Sequence, residues 1–217
     1  MIQKFARIFR SQAGRLQVPT HVAAIYLQPE QLKLVLLQSS DRTLVKVETV
    51  RLADDGKLVS ACLELATELP KNTPLCLVLS SDRYQLLQLD KPAVADAEML
   101  QALPWQIRDL VNYAPDDLVL DYCDVAEQTN QNQSRIQVVA TQRSFLAPIC
   151  KALQQQQVSL QNIQPDEWLA RNLLPVQPQA VLILSHQPGQ DVNIQIVRDG
   201  MLYVSRKLRG FQRIDQM

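Results

Sequence analysis

Glycine and histidine are scarce in this sequence, and neither sign of charge is in excess. Among 217 residues there are 5 glycines and 2 histidines, and 22 Lys and Arg balance 22 Asp and Glu. So few glycines leave little material for loops that cradle phosphate, and a net charge of zero gives no global field that would recruit nucleic acid. His21 and His186 have no companion at metal-ligand spacing, which argues against a zinc site.

Long apolar runs are absent as well. No run approaches the roughly 20 residues that a membrane-spanning helix needs, and charges interrupt the N-terminal segment where a signal peptide would have its apolar centre. The cysteines are widely spaced, lie in apolar contexts and form no C-x-x-C pair. A reduced, cytosolic core is therefore predicted to contain Cys62, Cys76, Cys123 and Cys150.

Catalytic motifs are also missing. The sequence has no P-loop, G-x-G-x-x-G, G-x-S-x-G or H-E-x-x-H pattern, and two histidines in poor context assemble no Ser/His/Asp arrangement. The acidic pairs Asp54–Asp55 and Asp116–Asp117 fall in predicted turns, where aspartate serves backbone geometry. We therefore predict that the chain is not an enzyme and has no catalytic, cofactor-binding or metal site.

The apolar patterns predict an α/β protein. Three strands at 21–27, 31–38 and 43–52, a helix after Gly56 and a buried strand at 74–80 give a β-β-β-α-β order. Asp199-Gly200 is a hairpin signal between two later strands. The other predicted elements are strands at 84–90, 118–125, 135–141, 159–165, 180–185, 192–200 and 201–208, and helices at about 96–111, 144–156 and 166–174.

The most organised stretch is ALPWQIRDLVNYAPDDLVLDY, residues 102–122. Asp96 can cap its helix, and Pro104 inside the pattern predicts a kink or the start of a second helix. An apolar stripe that should face the protein's own sheet is formed by Met99, Leu100, Leu103, Ile107, Leu110 and Val111.

Trp105 lies about 160° round the helix from this stripe, beside Arg108 and Asp109. The kink at Pro104 could turn the indole inward as ordinary core packing. Alternatively the indole anchors a partner, since Trp and Arg are enriched at interface hot spots. On the second interpretation, Trp105, Arg108 and Asp109 are candidate partner-binding residues.

The first ten residues, MIQKFARIFR, form a basic amphipathic pattern, with Ile2, Phe5, Ile8 and Phe9 on one helical face. Such a helix can lie on an anionic membrane, where each cation contributes ~1 kcal/mol. It can equally dock on its own core or fray in solvent. The candidate membrane-surface residues are Lys4, Phe5, Arg7, Phe9 and Arg10.

Several segments resemble proteins with the actin-like fold. AAIYLQPEQLKLVLL resembles the first phosphate-binding hairpin of actin-like ATPases. LPWQIRDLVNYAPDDLVLDYCDV is similar to the helix-to-strand segment of the pilus assembly protein PilM and of the cytoplasmic domain of the secretion protein GspL. LQNIQPDEWLARNLL and VNIQIVRDGMLYVSRKLRG resemble two further segments of PilM. The order of these segments, from about residue 21 onward, is similar to that of the MshI family, the PilM-like components of the mannose-sensitive haemagglutinin (MSHA) type IV pilus.

This resemblance implies an α/β actin-like (ribonuclease H-like) fold, with a mixed sheet, a smaller inserted α/β subdomain and an incomplete second lobe. It assigns 1–20 to a basic amphipathic N-terminal segment. The first actin-like subdomain would comprise 21–83 and 158–176. The inserted subdomain would comprise 84–157, and 177–217 would begin the second lobe.

The same resemblance predicts poor nucleotide binding, because the phosphate hairpin departs from the family pattern. Tyr26 stands where the family has the Asp that supports Mg²⁺ through water. Gln28 stands in place of the glycine that lets the backbone approach phosphate. Pro29, Glu30 and Gln31 replace hydroxyl residues, and only Lys33 matches. The segment that corresponds to the family's second phosphate-binding hairpin lacks the Asp-x-Gly motif. Its polar residues do not fall at the matching positions: Ser185, Gln187, Gly189 and Asp191.

The implied function is that of a non-catalytic cytoplasmic scaffold, peripheral to the bacterial inner membrane, in an MSHA-type pilus assembly platform. PilM holds the N-terminal peptide of the membrane protein PilN in a cleft beside its inserted subdomain, whereas GspL contacts the secretion ATPase. A PilN-like partner is therefore expected. Further contacts that are left open are the assembly ATPase, the membrane surface and a second copy of the chain. Nucleic acid is not expected as a partner. The alternatives are a working actin-like ATPase and membrane association through residues 1–10 alone.

Overall fold

A computed structural model describes residues 19–125, 134–169, 172, 174–186 and 191–210. Its strands agree with those predicted from the apolar patterns, whereas the helix predicted at about 96–111 is shorter and the one predicted at 166–174 is described only over Asp166–Leu169. The strands are β1 (His21–Leu27), β2 (Gln31–Gln38), β3 (Leu44–Arg51), β4 (Leu75–Leu79), β5 (Gln85–Asp90), β6 (Leu118–Asp124), β7 (Arg135–Gln142), β8 (Leu160–Pro165), β9 (Val181–Ser185), β10 (Val192–Arg198) and β11 (Met201–Leu208). The helices are α1 (Leu58–Thr67), α2 (Met99–Ile107), α3 (Arg143–Gln155) and α4 (Asp166–Leu169). Within these ranges, no helix is both long and apolar enough to cross a membrane.

A five-stranded mixed sheet has the order β3-β2-β1-β4-β8. β1 pairs antiparallel with β2 and parallel with β4, and β4 pairs parallel with β8. A parallel neighbour needs a crossover connection, and α1 provides it between β3 and β4. The predicted β-β-β-α-β order is therefore confirmed.

One face of this sheet forms a core because its side chains alternate with period two. Ile25, Leu27, Leu32 and Leu34 are fully buried, whereas their sequence neighbours on the opposite face are partly exposed. Helices α1 and α3 contact each other, and they contact β2 and β8 respectively. Each fully buried Leu or Ile stabilises the fold by about 1.5–3 kcal/mol.

The four cysteines are free thiols. Cys62 lies on α1 and has no exposed surface. Burial raises the pKa of the Cys62 thiol to about 12, with a smaller contribution from Cys150, and burial raises the pKa of Cys76 to about 11. At neutral pH these two thiols are protonated and chemically quiet.

Two three-stranded sheets complete the described chain, with the orders β5-β7-β6 and β11-β10-β9. β10 pairs antiparallel with both neighbours. The turn between β10 and β11 has positive φ at Asp199 (52°) and Gly200 (72°), as a two-residue hairpin of the primed type requires. The Asp-Gly signal is therefore confirmed.

The chain divides into two compact units. The first contains the described parts of Met1–Gln85, Ala95–Asp121 and Val139–Pro165, and the second those of Leu86–Val94, Tyr122–Val138 and Asp166–Met217. The four-part division expected from the actin-like resemblance follows the subdomains of that family, whereas these two units follow contacts within the chain. The four-part division therefore stays a prediction.

Candidate functional site

Helix α2 has one buried face and one exposed face. Its buried side chains are Met99, Leu103 and Ile107, which recur at helical spacing. Trp105 points away from them and is 74% exposed. Ordinary core packing of Trp105 is therefore wrong for the folded chain, since the indole contributes surface and not core volume.

Three details of α2 differ from the sequence prediction. The helix begins at Met99, with Glu98 and not Asp96 at the N-cap position. It runs without interruption through Pro104, so no second helix starts there. Leu110, placed in the buried stripe by its spacing, is 53% exposed, because the helix has already ended at Ile107.

A turn after Ile107 explains this change of face. The backbone N–H groups of Leu110 and Val111 both donate to the carbonyl of Ile107, at 2.8 and 3.1 Å. This shared acceptor tightens the chain beyond the helix, so Val111 is buried while Leu110 faces outward. Helix termini often share hydrogen bonds in this way, and spacing rules for a regular helix fail there.

Exposed apolar and charged side chains follow one another on this helix and in the turn after it. Trp105 and Arg108 are three residues apart, the spacing of neighbours on a helix surface. Nε of Arg108 lies 3.3 Å from Oδ2 of Asp109, and both side chains are largely exposed. An exposed pair of this kind adds little stability. We call Trp105, Arg108, Asp109 and Leu110 the α2 patch.

The α2 patch presents apolar and charged groups side by side at the surface. It offers an indole, a leucine, a cation and an anion, which suit a peptide with an apolar residue and charged flanks. The three predicted partner-binding residues therefore lie together, although their role stays a prediction. The five predicted membrane-surface residues, Lys4, Phe5, Arg7, Phe9 and Arg10, lie outside the described residues.

The β1–β2 hairpin is closed by its own hydrogen bonds. The N–H of Gln28 donates to the carbonyl of Gln31 at 3.0 Å, and Nε2 of Gln31 donates to Oε1 of Gln28 at 2.8 Å. Gln28 is buried, whereas Pro29 and Glu30 form the exposed tip. The amide that would approach a phosphate is therefore already used within the turn.

Backbone geometry at this tip also differs from that of an anion-binding loop. A nest of N–H groups needs a residue in the left-handed region next to a right-handed one. Among the described residues, those with positive φ include none between Gln28 and Gln31. Tyr26 pairs with Lys33 across the ladder, so the matching lysine is placed beside a phenol and not beside a carboxylate.

The second hairpin region likewise lacks a convergent polar site in its described part. Ser185 is exposed at the end of β9. Oδ1 of Asp191 accepts a hydrogen bond from the N–H of Gly210 at 3.3 Å, which ties two chain segments together. Gln187 and Gly189 lie outside the described residues.

A polar cluster after β4 was not foreseen from the sequence. Both Nη atoms of Arg83 bond the carboxylate of Asp55, at 2.6 and 3.2 Å, and the guanidinium lies 5.2 Å from the ring centre of Phe145. This bidentate bond lowers the pKa of Asp55 and raises that of Arg83. Asp82 lies 3.1 Å from Nε of Arg83. The guanidinium is thus occupied within the protein, which indicates a structural role. Asp55 and Phe145 are distant from Arg83 in sequence, so no local pattern could have found this cluster.

Comparison with known proteins connects this geometry to a fold. No protein-family model matches the chain, and no curated protein sequence does either. Solved structures do match. The cytoplasmic domain of EpsL, an inner-membrane component of the type II secretion system of Vibrio cholerae, is 13% identical with a TM-score of 0.60, over 86% of this chain and 71% of that one.

Two further structures agree. A chain of the PilM–PilN type IV pilus biogenesis complex is 17% identical with a TM-score of 0.65, over 88% of this chain and 62% of that one. A Bacteroides thetaiotaomicron protein with an actin-like ATPase fold and unknown function is 8% identical with a TM-score of 0.55, over 94% of this chain and 76% of that one. Identities this low establish a common architecture and not a common activity. The mixed sheet and these likenesses confirm the predicted α/β fold class: the chain has the actin-like fold.

Proposed function

We propose that this chain is a non-catalytic scaffold in an inner-membrane assembly platform for a type IV pilus of the MSHA type. Its partner would be the cytoplasmic N-terminal peptide of a PilN-like membrane protein. Two matching structures come from a pilus biogenesis complex and a secretion-system component, which supports this class of role. The chain spans 62% of its match in the PilM–PilN complex, so the partner is part of the proposal.

The observation that carries the proposal is the exposure of Trp105. Tryptophan has the largest side chain of all residues, and it is unusual for an indole to be 74% exposed on a helix whose opposite face is buried. Exposed tryptophan costs solubility, and tryptophans dominate interface hot spots when a partner covers them. Arg108 and Asp109 provide charges of both signs at the rim, where they favour correct orientation more than affinity.

Calorimetric titration of the PilN-like N-terminal peptide into the full chain tests this proposal. Trp105→Ala should weaken binding by about 2 kcal/mol or more, as truncation of a hot-spot residue does. The same change should leave the melting temperature nearly unaltered, because the indole is not part of the core. Arg108→Ala should weaken binding less than Trp105→Ala does.

Gln106→Ala provides a matched control, since Gln106 is exposed on the same helix next to Trp105. It should bind the peptide as the wild type does. If Trp105→Ala and Gln106→Ala bind equally well, the α2 patch is not the peptide site. If the wild type does not bind at all, the PilN-like partner itself is wrong.

The rival function is that of an actin-like ATPase, and the closed β1–β2 hairpin argues against it. We expect no melting shift with millimolar MgATP and no hydrolysis. A ligand at 100 times its Kd would stabilise the chain by roughly 2.7 kcal/mol, which a melting curve detects readily. A shift that disappears with EDTA would favour the rival and contradict the non-catalytic role.

Peripheral contact with the inner membrane, and hence cytoplasmic localisation beside it, remains part of the proposal. Deletion of residues 1–10 should abolish weak binding to anionic vesicles without changing the melting temperature. If deletion lowers the melting temperature by several degrees, the segment belongs to the core, and membrane contact through Lys4, Arg7 and Arg10 is wrong.

A further inference from the structure

Strand β3 lies at one end of the five-stranded sheet and exposes apolar side chains. Val45 is 50% exposed and Val47 is 52% exposed. β2 pairs with its inner side, and no other strand in the described chain pairs with its outer side. Open edges of this kind are templates for another strand, and proteins usually protect them.

The hydrogen-bonding groups of β3 alternate between the two sides of the strand. The N–H of Leu52 donates to the carbonyl of Glu30 at 2.8 Å, and the β2–β3 ladder continues in the same register to Leu36 and Lys46. Antiparallel ladders use every second residue for hydrogen bonds. Lys46, Glu48 and Val50 therefore direct their backbone groups towards β2. Val47 and Thr49 direct theirs towards the open edge.

The sequence around Val47 is complementary to itself in the antiparallel direction. With a two-fold axis at Val47, the order Lys46-Val47-Glu48 places each Lys46 opposite Glu48 of the second copy. Val47 then faces its own copy in a hydrogen-bonded pair, so Lys46 and Glu48 fall in the neighbouring non-hydrogen-bonded pair, where side chains approach most closely.

The charges select this register over the neighbouring ones that the backbone allows. A two-fold axis at Lys46 or at Glu48 would also pair outward-facing groups, but it would put that charge opposite the same charge of the second copy. A two-fold axis at Thr49 would put Glu48 opposite Val50. In one copy, Nζ of Lys46 already lies 2.7 Å from the carboxylate of Glu48 and bonds Glu68 as well. With the axis at Val47, the four charges of Lys46 and Glu48 alternate in sign along and across the strands.

We propose that a second copy of this chain docks on β3 through antiparallel pairing centred on Val47, joining two five-stranded sheets into one. This inference is independent of the proposed function, because it concerns a different surface. Strand pairing over so few residues buries less than a standard interface, so the dimer should be weak, with a Kd on the order of 100 µM. Attachment of a partner to a membrane would raise the local concentration and favour it.

Sedimentation of the full chain from 5 to 500 µM tests the dimer. The wild type should show a reversible monomer–dimer equilibrium. Val47→Pro should abolish it, since proline removes the outward N–H but no ladder bond to β2. Lys46→Glu and Glu48→Lys should each weaken dimerisation by at least about tenfold, because like charges then face each other twice.

The decisive sample is an equal mixture of Lys46→Glu and Glu48→Lys. One variant then presents two acids and the other two bases at the same positions, so a heterodimer should form while each variant alone stays monomeric. Lys71→Glu and Glu64→Lys, both at exposed positions in the first unit, make the same changes in net charge elsewhere and should leave dimerisation unchanged. Melting curves at 5 µM check that each monomer is folded.

Three results would overturn the proposal. The wild type could remain monomeric at 500 µM, Val47→Pro could dimerise like the wild type, or the mixture could fail to recover the dimer. The third result would exclude the register centred on Val47 even if an association persists. None of these outcomes bears on peptide binding at the α2 patch, so the two proposals fail separately.

Discussion

The two tryptophans of this chain lie in opposite environments. Trp105 is 74% exposed on α2, whereas Trp168, on the short helix α4, is 8% exposed. Nε1 of Trp168 donates to Oε1 of Gln137 at 2.8 Å, which satisfies the indole N–H. Trp168 therefore contributes to stability, and the surface position of Trp105 leaves it available for contact.

The difference shows that residue type alone does not assign a tryptophan to core or interface. A buried indole needs a volume to fill and an acceptor for its one donor. Gln137, 31 positions away in sequence, provides that acceptor for Trp168. For Trp105, the buried stripe through Leu103 and Ile107 occupies the other side of the helix.

Trp168→Ala should give the largest effect and tests the buried half of this comparison. The substitution opens a cavity and leaves Gln137 without its donor, so we expect a loss of about 3–5 kcal/mol in the stability of the unit that contains it. Urea denaturation followed by circular dichroism measures the change. A loss below 1 kcal/mol would mean that this indole is not a core residue in solution.

Gln137→Leu should give an intermediate effect, because it removes only the hydrogen bond. The buried indole N–H would then have no acceptor, at a cost of about 1–3 kcal/mol. In the double variant with Trp168→Phe, which has no N–H, the cost of Gln137→Leu should nearly vanish. Equal costs in both backgrounds would show that the hydrogen bond contributes nothing.

Asp117→Asn compares the beginnings of two helices and should have a smaller effect. Oδ1 of Asp117 accepts the N–H of Ser144 at 2.6 Å at the start of α3, whereas no side chain caps α2. The hydrogen bonds from Ser144 lower the pKa of Asp117. Because the pKa of Asp117 is lower in the folded state than in the unfolded chain, its ionised carboxylate stabilises the fold at pH values above the unfolded pKa of about 3.9. This stabilisation is lost as the pH falls through the folded-state pKa. The melting temperature of Asp117→Asn should therefore lie below that of the wild type at pH 7 and approach it below pH 4. A difference that persists at pH 2 would show that charge is not the cause.

The smallest effect on stability is expected at Trp105. Trp105→Phe should change the free energy of unfolding by no more than about 0.5 kcal/mol, as surface substitutions usually do. Fluorescence distinguishes the two indoles. In Trp168→Phe the remaining fluorescence comes from the exposed Trp105, and iodide should quench it strongly. In Trp105→Phe it comes from the buried Trp168, and iodide should hardly quench it. Equal quenching in the two variants would contradict the comparison.

Much of the fold could be predicted because its signals are local. Period-two burial in β1 and β2, the helical spacing in α1 and the Asp199-Gly200 turn each depend on a few neighbouring residues. The prediction failed where a regular period ends. Leu110 continues the α2 stripe by spacing but belongs to a turn, and the N-cap position is at Glu98 and not at Asp96. Resemblance to actin-like proteins supplied the fold class, which periodicity alone leaves at α/β.

Less of the candidate site could be predicted. The α2 patch was found because its residues are neighbours in sequence, although core packing of Trp105 could not be excluded without its exposure. The Arg83 cluster was missed because Asp55 and Phe145 come from distant segments. The open edge of β3 also could not be predicted from the sequence, since the direction of the backbone groups of Val47 depends on its register with β2.

The buried thiol of Cys62 is a natural probe of local opening in this protein, and its use requires no mutation. A thiol with no exposed surface and a pKa of about 12 reacts with an alkylating reagent only when α1 opens. The rate of modification at Cys62, read by mass spectrometry, thus reports how often the core around α1 opens. Because alkylation is permanent, the measurement can be made inside living cells. Bound partners that keep the fold closed there would slow the alkylation of Cys62.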